Sequence, residues 1–595
     1  MSGATTPTPS HPAAAGGSAA SAYAWAGSWG AILLLVGVVT ALRIIYTLWL
    51  CPYDLIEDEA HYWEWSRRLD WSYYSKGPGV ALLIAAATEV LGTTAGAVRL
   101  PAVLSGGIAT LAVAGLAADA TGDRRIGFLG AAAMLLTPIF QLQALLMTID
   151  GPYVACWAVG AWAAWRALER SSRSAWLVLG IAIGAGFLFK YTILLLPPSI
   201  LIYAILRRRR LNCARGAGRW AVFSAAFALL GVLPVIIWNS QNDWPTVRHL
   251  LGHLGLPGGD VPFDRHGLGW DYQWRWTLAF LGGQLALVGA PLVLGVYSAV
   301  VVIRRRKREP GGWGGRLFLI CLWAPMMLFH LAVSLFTEVE GNWPVAGYVG
   351  MLALCGWGVL DATQERRARV AAWRALARPR PWRGIFRPRP QLHRHVAWQI
   401  AVAGGLVVGI GSLRLDLLAS LPVFGHEWTW RGAARRPLIP IGRLMGASQM
   451  GAHVAQLADE LRRAGGGEPM IIAQHYGRAS QLAFYGAPTG DSGPEAPRPI
   501  VYSSSSFMAG RQTQYDYWDD TDLTDPALRG RSGVLVGATR EQWEHLFARV
   551  EPIGSLAGET KADREAFLGS GFRPPKRNSA PAPRRTPERD PERAK

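Results

Sequence analysis

"WGAILLLVGVVTALRIIYTLWL", Trp29 to Leu50, is an apolar run of 22 residues. A bilayer core of roughly 30 Å takes about 20 apolar residues per helix, so the run reads as a membrane span. Comparable runs recur as far as Leu418. Eleven are counted, at 29–50, 96–118, 126–145, 151–168, 174–189, 191–206, 219–238, 277–303, 315–336, 343–360 and 396–418. The chain of 595 residues is 51% hydrophobic with 27 tryptophans, and its apolar residues come in long blocks instead of alternating. The class is therefore a polytopic α-helical membrane protein.

The formal net charge is +19, which raises nucleic acid as a partner, so its distribution matters. With the N-terminus in the cytoplasm, the loops after even-numbered spans carry DATGDRR, RALERSSR, RRRRLNCARGAGR, RRRKREPGGWGGR and the stretch from Asp361 to His395. These five segments hold 27 Lys and Arg. The loops after odd-numbered spans (51–95, 146–150, 239–276 and 337–342) hold six, or seven with Lys190 in the turn between spans five and six. That is the positive-inside asymmetry. The basic runs set topology, with some attraction to anionic lipid, and nucleic-acid binding is excluded as a reading.

The first 22 residues are almost all Ala, Ser, Pro, Thr and Gly and contain no Lys or Arg, which is not the pattern of a secretory signal. Five cysteines are scattered and show neither a disulfide framework nor a zinc pattern. From Ala447 the pattern becomes that of a small α/β unit. The helical "QMGAHVAQLADELRRAG" precedes the strand-like "PMIIAQ"; "GRASQLAFYG" leads to "PIVYS"; and "GVLVGA" precedes "REQWEHLFARV". The expected organisation is a tail over 1–28, a membrane domain over 29–419 with its first outer loop at 51–95, an extracytoplasmic α/β domain over 420–571, and a disordered basic tail over 572–595.

The first outer loop is unusual. "LIEDEAHYWEWSRRLDWSYYSKGPG", Leu55 to Gly79, holds five acidic, three basic and six aromatic residues in 25 positions. After it, "GVALLIAAATEVLG" is too short to span and reads as an interfacial or re-entrant helix. Together with "DEAHYWEWSRRL" it gives the loop two helices that lie along the membrane surface. The other outer loops add Asp150 in "LLMTIDGPYV", Lys190 in "FLFKYT", Asp243 in "WNSQNDWP", and Glu338 and Glu340 in "TEVEGNWP". Ionisable residues at the edge of a span are costly and tend to be functional. Any one of them read alone is simply a polar loop residue.

A few carboxylates and two lysines at one membrane surface suit transfer of a sugar from a polyprenyl phosphate. The leaving phosphate needs cations to stabilise its charge, and the acceptor hydroxyl needs a carboxylate base. "EDEAHYWEWSRRLDWSYYSKGPGVALLIA" resembles the first outer loop of polyprenyl-phosphate-sugar-dependent glycosyltransferases of the GT-C fold. These include bacterial enzymes related to protein O-mannosyltransferases, lipid A aminoarabinose transferases and lipopolysaccharide galacturonosyltransferases. The resembling features are Asp58-Glu59, Tyr62-Trp63, Tyr73-Tyr74 and Lys76-Gly77-Pro78. In the same order follow "VRLPAVL" (98–104), "TIDGP" (148–152), "FLFKYT" (187–192), "WNSQNDW" (238–244) and "EGNWP" (340–344), so the resemblance covers about residues 29 to 360. Two departures stand out: Gly77-Pro78 replaces a Pro-Pro, and "TIDGP" replaces "TPDAP".

The resemblance implies a GT-C-like fold of about eleven spans plus interfacial helices, in the inner membrane of a bacterium with its site on the extracytoplasmic side. It implies Asp58 as base or acceptor-orienting carboxylate, Glu59 as its neighbour, Asp150 as a second active-site carboxylate, and Lys76 and Lys190 on the donor phosphate. Arg99 is a further phosphate contact or a snorkelling span-end arginine. Glu338 and Glu340 border the acceptor or line a solvated turn. His61 has no second histidine at zinc spacing and is read as a non-ligand; Glu57 is read as solvated and the loop tryptophans as interfacial anchors. No cofactor is required, and a divalent metal is compatible with the charges without being demanded by them. The partners are the bilayer, a polyprenyl-phosphate-linked sugar and a glycolipid, cell-envelope glycan or protein acceptor. A transporter or flippase of lipid-linked sugars is the alternative, but it would place charge near mid-membrane in broken helices with repeat symmetry. A scaffold presenting the α/β unit leaves the loop acids unexplained.

Overall fold

Each of the eleven apolar runs is helical in the computed structural model. It describes residues 25–576 apart from 212–215, 254–257, 261–271, 308–311, 375–389, 422–427, 431–432, 436–440, 466, 488–497, 511 and 557–564. The tails expected at 1–28 and 572–595 lie mostly outside the described residues. In chain order the helices are α1 (Trp29–Ile45), α2 (Glu57–Ser66), α3 (Gly79–Leu91), α4 (Ala95–Thr121), α5 (Arg124–Leu136), α6 (Pro138–Gln143), α7 (Asp150–Glu169), α8 (Arg173–Phe189) and α9 (Leu196–Arg207). They continue with α10 (Ala217–Gln241), α11 (Pro245–His253), α12 (Trp274–Val288), α13 (Ala290–Arg305), α14 (Trp313–Val333), α15 (Tyr348–Arg374), α16 (Pro390–Leu413) and α17 (Leu415–Ala419).

Local chemistry sets the ends. Ser28 caps α1 by accepting from the Ala31 N–H at 3.1 Å, and Thr94 caps α4 by accepting from Ala97 at 3.1 Å. Not every run is a straight span. The run at 126–145 breaks at Thr137–Pro138, where proline opens a new helix. The run expected as one span at 277–303 is two helices, α12 and α13, meeting at 103° across Gly289. Among the described residues six helices are long and apolar enough to cross a membrane, or seven if that bent pair is one span. The two helices expected in the loop at 51–95 are present as α2 and α3.

The bundle packs through small residues, as membrane helices do when apolar burial alone gives no preference over lipid. A Cβ at Gly231 of α10 would stand 2.3 Å from the Gly184 carbonyl oxygen of α8, so no side chain fits that crossing. At one end, Arg305 of α13 and Arg394 of α16 both pair with Asp361 and Glu365 of α15. The loop-borne acids and lysines lie at the opposite end.

The α/β part begins with α18 (Ala447–Arg463) and continues as β1 (Met470–Ala473), α19 (Tyr476–Tyr485), β2 (Val501–Ser503), α20 (Ser505–Met508), β3 (Gly533–Val536), α21 (Arg540–Glu544), β4 (Phe547–Ser555) and β5 (Glu565–Phe572). The sheet order is β2-β1-β3-β5-β4. β1 runs parallel to β2 and β3, while β5 is antiparallel to β3 and β4. "REQWEHLFARV" is not one element. Its helix stops at Glu544, and Phe547 starts a strand that buries Phe547 and Val550 against β5. Pro552 would in any case disfavour continuing the helix.

Candidate active site

The first turn of α2 carries Glu57, Asp58 and Glu59, three acids at the positive end of a helix dipole. Their surroundings differ. Glu59 is fully buried and accepts four hydrogen bonds: from Arg99 Nε (2.8 Å) and Nη2 (2.7 Å), from the Met147 N–H (2.8 Å) and from the Ile56 N–H (3.1 Å). Arg99, on the first turns of α4, spends its remaining donors on the carbonyls of Tyr53 (2.9 Å) and Asp54 (2.7 Å) and on Cys51 Sγ (3.3 Å). All five of its N–H groups are engaged, so it has none left for a phosphate. This corrects the placement expected for both residues. Glu59 and Arg99 form a buried pair that ties α2 to α4 and to the loop before α7.

Asp58 points into the cluster. Its side chain makes no hydrogen bond or ion pair to any described residue. Burial, then Glu57 and Glu59, hold its carboxyl above the usual carboxylate range, while Lys76 pulls the other way and Asp150 adds to the upward push. Lys76 likewise has no ion-pair partner among the described residues. Burial and the neighbouring Lys190 push its ammonium down to about 8, against the pull of Asp150 and Asp58. The Lys76 loop reaches Lys190 because it is seated on the end of α8. A Cβ at Gly77 would stand 2.6 Å from the Leu188 carbonyl oxygen, and one at Gly79 would meet the Phe189 ring at 2.7 Å. The departure at Gly77 thus has a structural reason: only a residue without a side chain docks so close to α8.

Asp150 opens α7 and is 4% exposed. Lys190 Nζ donates to its Oδ1 at 2.7 Å, and Asn342 Nδ2 donates to its Oδ2 at 2.6 Å. Lys190 follows α8 in extended backbone, and its Nζ stands 5.6 Å from the centre of the Tyr153 ring. The fold therefore brings Asp58, Lys76, Asp150 and Lys190 together from three outer loops. Glu338 and Glu340 are both exposed, and their carboxylates bond to nothing among the described residues. The residue of that loop which reaches the cluster is Asn342, two positions on. It stands inside the motif "EGNWP", yet an amide carries no signal that separates it from the acids beside it.

Other loop residues are fixed away from the cluster. His61 Nε2 accepts from Trp65 Nε1 (3.2 Å), which leaves Nδ1 to donate to Ser480 Oγ (3.1 Å). Trp65 stacks on Tyr73 at 4.4 Å, so this ring is packed inside the loop and is not a membrane anchor. Trp238 of "WNSQNDW" donates to Asp70 at 2.7 Å, and Thr246 N–H donates to Asn239 Oδ1 at 3.1 Å. Glu57 faces His475 (3.5 Å) and Arg478 (3.6 Å) of the α/β part, a partial correction of its solvated reading. Among the described residues no three His, Cys, Asp or Glu side chains gather as a metal site.

Residues 75–238 match the model of the dolichyl-phosphate-mannose-protein mannosyltransferase family. That segment takes in Lys76, Asp150 and Lys190 but not Asp58. The chain is 30% identical over 307 residues to a lipid A galacturonosyltransferase, RgtD, of Rhizobium johnstonii, covering 51% of this chain and 60% of that protein. It is 30% identical over 186 residues to the undecaprenyl phosphate-α-4-amino-4-deoxy-L-arabinose arabinosyl transferase of Pseudomonas savastanoi pv. phaseolicola, covering 30% of this chain and 34% of that one. The match thus spans less than two thirds of either relative. The structure of ArnT from Cupriavidus metallidurans bound to undecaprenyl phosphate aligns over 91% of this chain and 98% of its own, with a TM-score of 0.52 at 15% identity; its apo form gives 0.51. What is shared there is the fold. The resemblance read from the loop motifs holds, and the helical part has the GT-C architecture.

Proposed function

We propose that this chain is an integral-membrane glycosyltransferase that moves a sugar from a polyprenyl phosphate to a glycolipid acceptor. The reaction would take place at the extracytoplasmic face of a bacterial inner membrane. One observation carries the reading: a carboxylate without a bonded partner among the described residues, Asp58, which is open to solvent, and an ammonium in the same state, Lys76, which is half-buried, share a site with the Lys190–Asp150 pair. A base and a phosphate site are what the reaction asks for. Asp58 accepts the proton of the acceptor hydroxyl as its oxygen attacks C1 of the sugar. The C1–O bond to phosphate breaks, and its electron pair stays on the phosphate oxygen. Lys76 and Lys190 take up that charge, each as a point-charge donor. Asp150 and Asn342 hold Lys190 in place, and Glu59–Arg99 holds the helix that presents Asp58. Burial that raises the Asp58 carboxyl makes it a stronger base than a free carboxylate.

The name of the first relative, a lipid A galacturonosyltransferase, favours a glycolipid acceptor, and that of the second favours an undecaprenyl-phosphate-linked donor, with cell-envelope glycan and protein acceptors remaining within the class. The division into a membrane domain at 29–419 and an extracytoplasmic α/β domain at 420–571 belongs to the same reading. It is supported by the charge asymmetry of the loops and by the α/β part packing on the outer-loop helix α2. The test is Asp58→Asn in purified protein supplied with polyprenyl-phosphate sugars and a lipid A acceptor. Turnover should fall by about 10²–10⁴-fold, the range for a general base, with normal insertion and yield. Near-wild-type turnover would remove Asp58 from the role.

A further inference from the structure

The turn that carries Asp58 is held from outside the bundle by one short helix, α19. The Leu55 N–H donates to Tyr485 Oη at 2.7 Å, and Gln481 Nε2 donates to the Leu55 carbonyl at 2.8 Å. Glu57 faces His475 and Arg478, and His61 bonds Ser480. Trp63 packs edge-on against Phe484 with ring centres 4.8 Å apart. A side chain at Gly477 would collide with Glu57, its Cβ standing 2.6 Å from the Glu57 Cβ. Gln481 is 2% exposed and Ser480 is fully buried, so these are interior contacts. They fall at three positions before Asp58, one before, three after and five after. The Asp58 carboxylate itself is bonded to no described residue.

Two anchors therefore set where Asp58 points. The bundle supplies Glu59–Arg99, already described, and α19 supplies the grip on Leu55. Both polar backbone groups of Leu55 lie just outside the helix and are satisfied by α19 side chains. Without them the segment leading into α2 loses its polar partners at that residue. We propose that α19 is a positioning element of the active site, with Gln481 and Tyr485 holding the first turn of α2 so that Asp58 faces Lys76 and the acceptor. The α/β part thereby helps to complete the catalytic site. This rests on the glycosyltransferase reading above. The same interface has contacts that do not bear on this turn. Arg68, ten residues past Asp58, makes a two-oxygen ion pair with Asp520 (Nε to Oδ1 3.1 Å, Nη2 to Oδ2 2.6 Å) and stacks over Trp518. That distinction makes the proposal testable.

The experiment compares full-length wild type, Gln481→Leu, Tyr485→Phe, the double variant, Arg68→Ala and Asp58→Asn, each purified and assayed for kcat, donor KM and the pH dependence of kcat. Misplacing a catalytic group by about 1 Å costs up to roughly 10²-fold. The double variant should lose about tenfold or more in kcat with donor KM within about twofold, and each single variant should lose part of that. Its acid limb should also move to lower pH. The charges and titratable groups that act on Asp58 are Glu57, Glu59 and Tyr62 on its own helix, Lys76 from the following loop and Asp150 from α7. A loosened first turn lets the carboxyl move away from the protein groups packed around it, which relaxes the desolvation that raises it. Arg68→Ala should keep kcat within about twofold and leave the limb in place. Wild-type kcat and an unmoved limb in the folded double variant would overturn the proposal, as would an equal loss in Arg68→Ala. Should the double variant not fold, Tyr485→Phe, which removes a single oxygen, decides between the same two outcomes. An active Asp58→Asn would instead bring down the reading of the site.

Discussion

At about 100° per residue, three consecutive acids on the first turn of α2 must face three directions. Glu57 goes outward to His475 and Arg478, Glu59 inward to Arg99, and Asp58 between them into the cluster. Glu59→Gln should therefore behave unlike Asp58→Asn. It leaves Arg99 charged and unpaired in a buried site, a loss of about 3–5 kcal/mol. A lower thermal midpoint and poor yield are expected, whereas Asp58→Asn should keep its thermal midpoint and lose turnover. Lys76 makes a second prediction. With its ammonium near 8, it is losing its charge as pH rises through that value. A phosphate anion favours the protonated form, so donor binding takes up a proton and donor KM should climb above about pH 8. Lys76→Arg, which stays charged, should flatten the climb. A flat wild-type profile would place the phosphate elsewhere.

Single elements bring residues from distant loops within reach. Gly77 seats the Lys76 loop against Leu188 at the end of α8, which sets Lys76 beside Lys190. Gly77→Ala should push the loop off α8 at a cost of about 1–3 kcal/mol and raise donor KM more than it lowers kcat. An unchanged KM would show that the contact does not place Lys76. Run length along the chain made α1, α4, α7, α8, α10, α14 and α15 legible as helices, since an apolar block of the right length leaves few alternatives. Bends were not legible, because composition is the same on both sides of Gly289, where α12 and α13 turn by 103°. The end of α21 escaped for a related reason. "HLFARV" suits helix or strand locally, and pairing with β5 decided it.

For the whole molecule, orientation follows from charge. Lys and Arg concentrate on one side of the bundle, the side where Arg305 and Arg394 join Asp361 and Glu365, while the site lies at the other end. In a cysteine-light background, Glu338→Cys should react with an impermeant thiol reagent in intact spheroplasts, and Arg208→Cys only after lysis. The reverse pattern would invert the topology and place the α/β part in the cytoplasm.

The sequence by itself marked the chain as one with long apolar helices, sorted its loops into a basic set and a set poor in Lys and Arg, and showed that the second set gathers acids and two lysines. These are consequences of run length and charge, which need no neighbour to be read. It also named four of the residues that meet, Asp58, Lys76, Asp150 and Lys190. Only the tertiary structure decided that Glu59 and Arg99 neutralise each other, that Asn342 and not Glu338 or Glu340 reaches Asp150, and that the α/β part grips the helix bearing Asp58. Two adjacent carboxylates look alike along the chain. Whether one is a buried anchor and the other a carboxylate left unbonded among the described residues depends on which cation packs across from it, and that cation comes from another part of the chain.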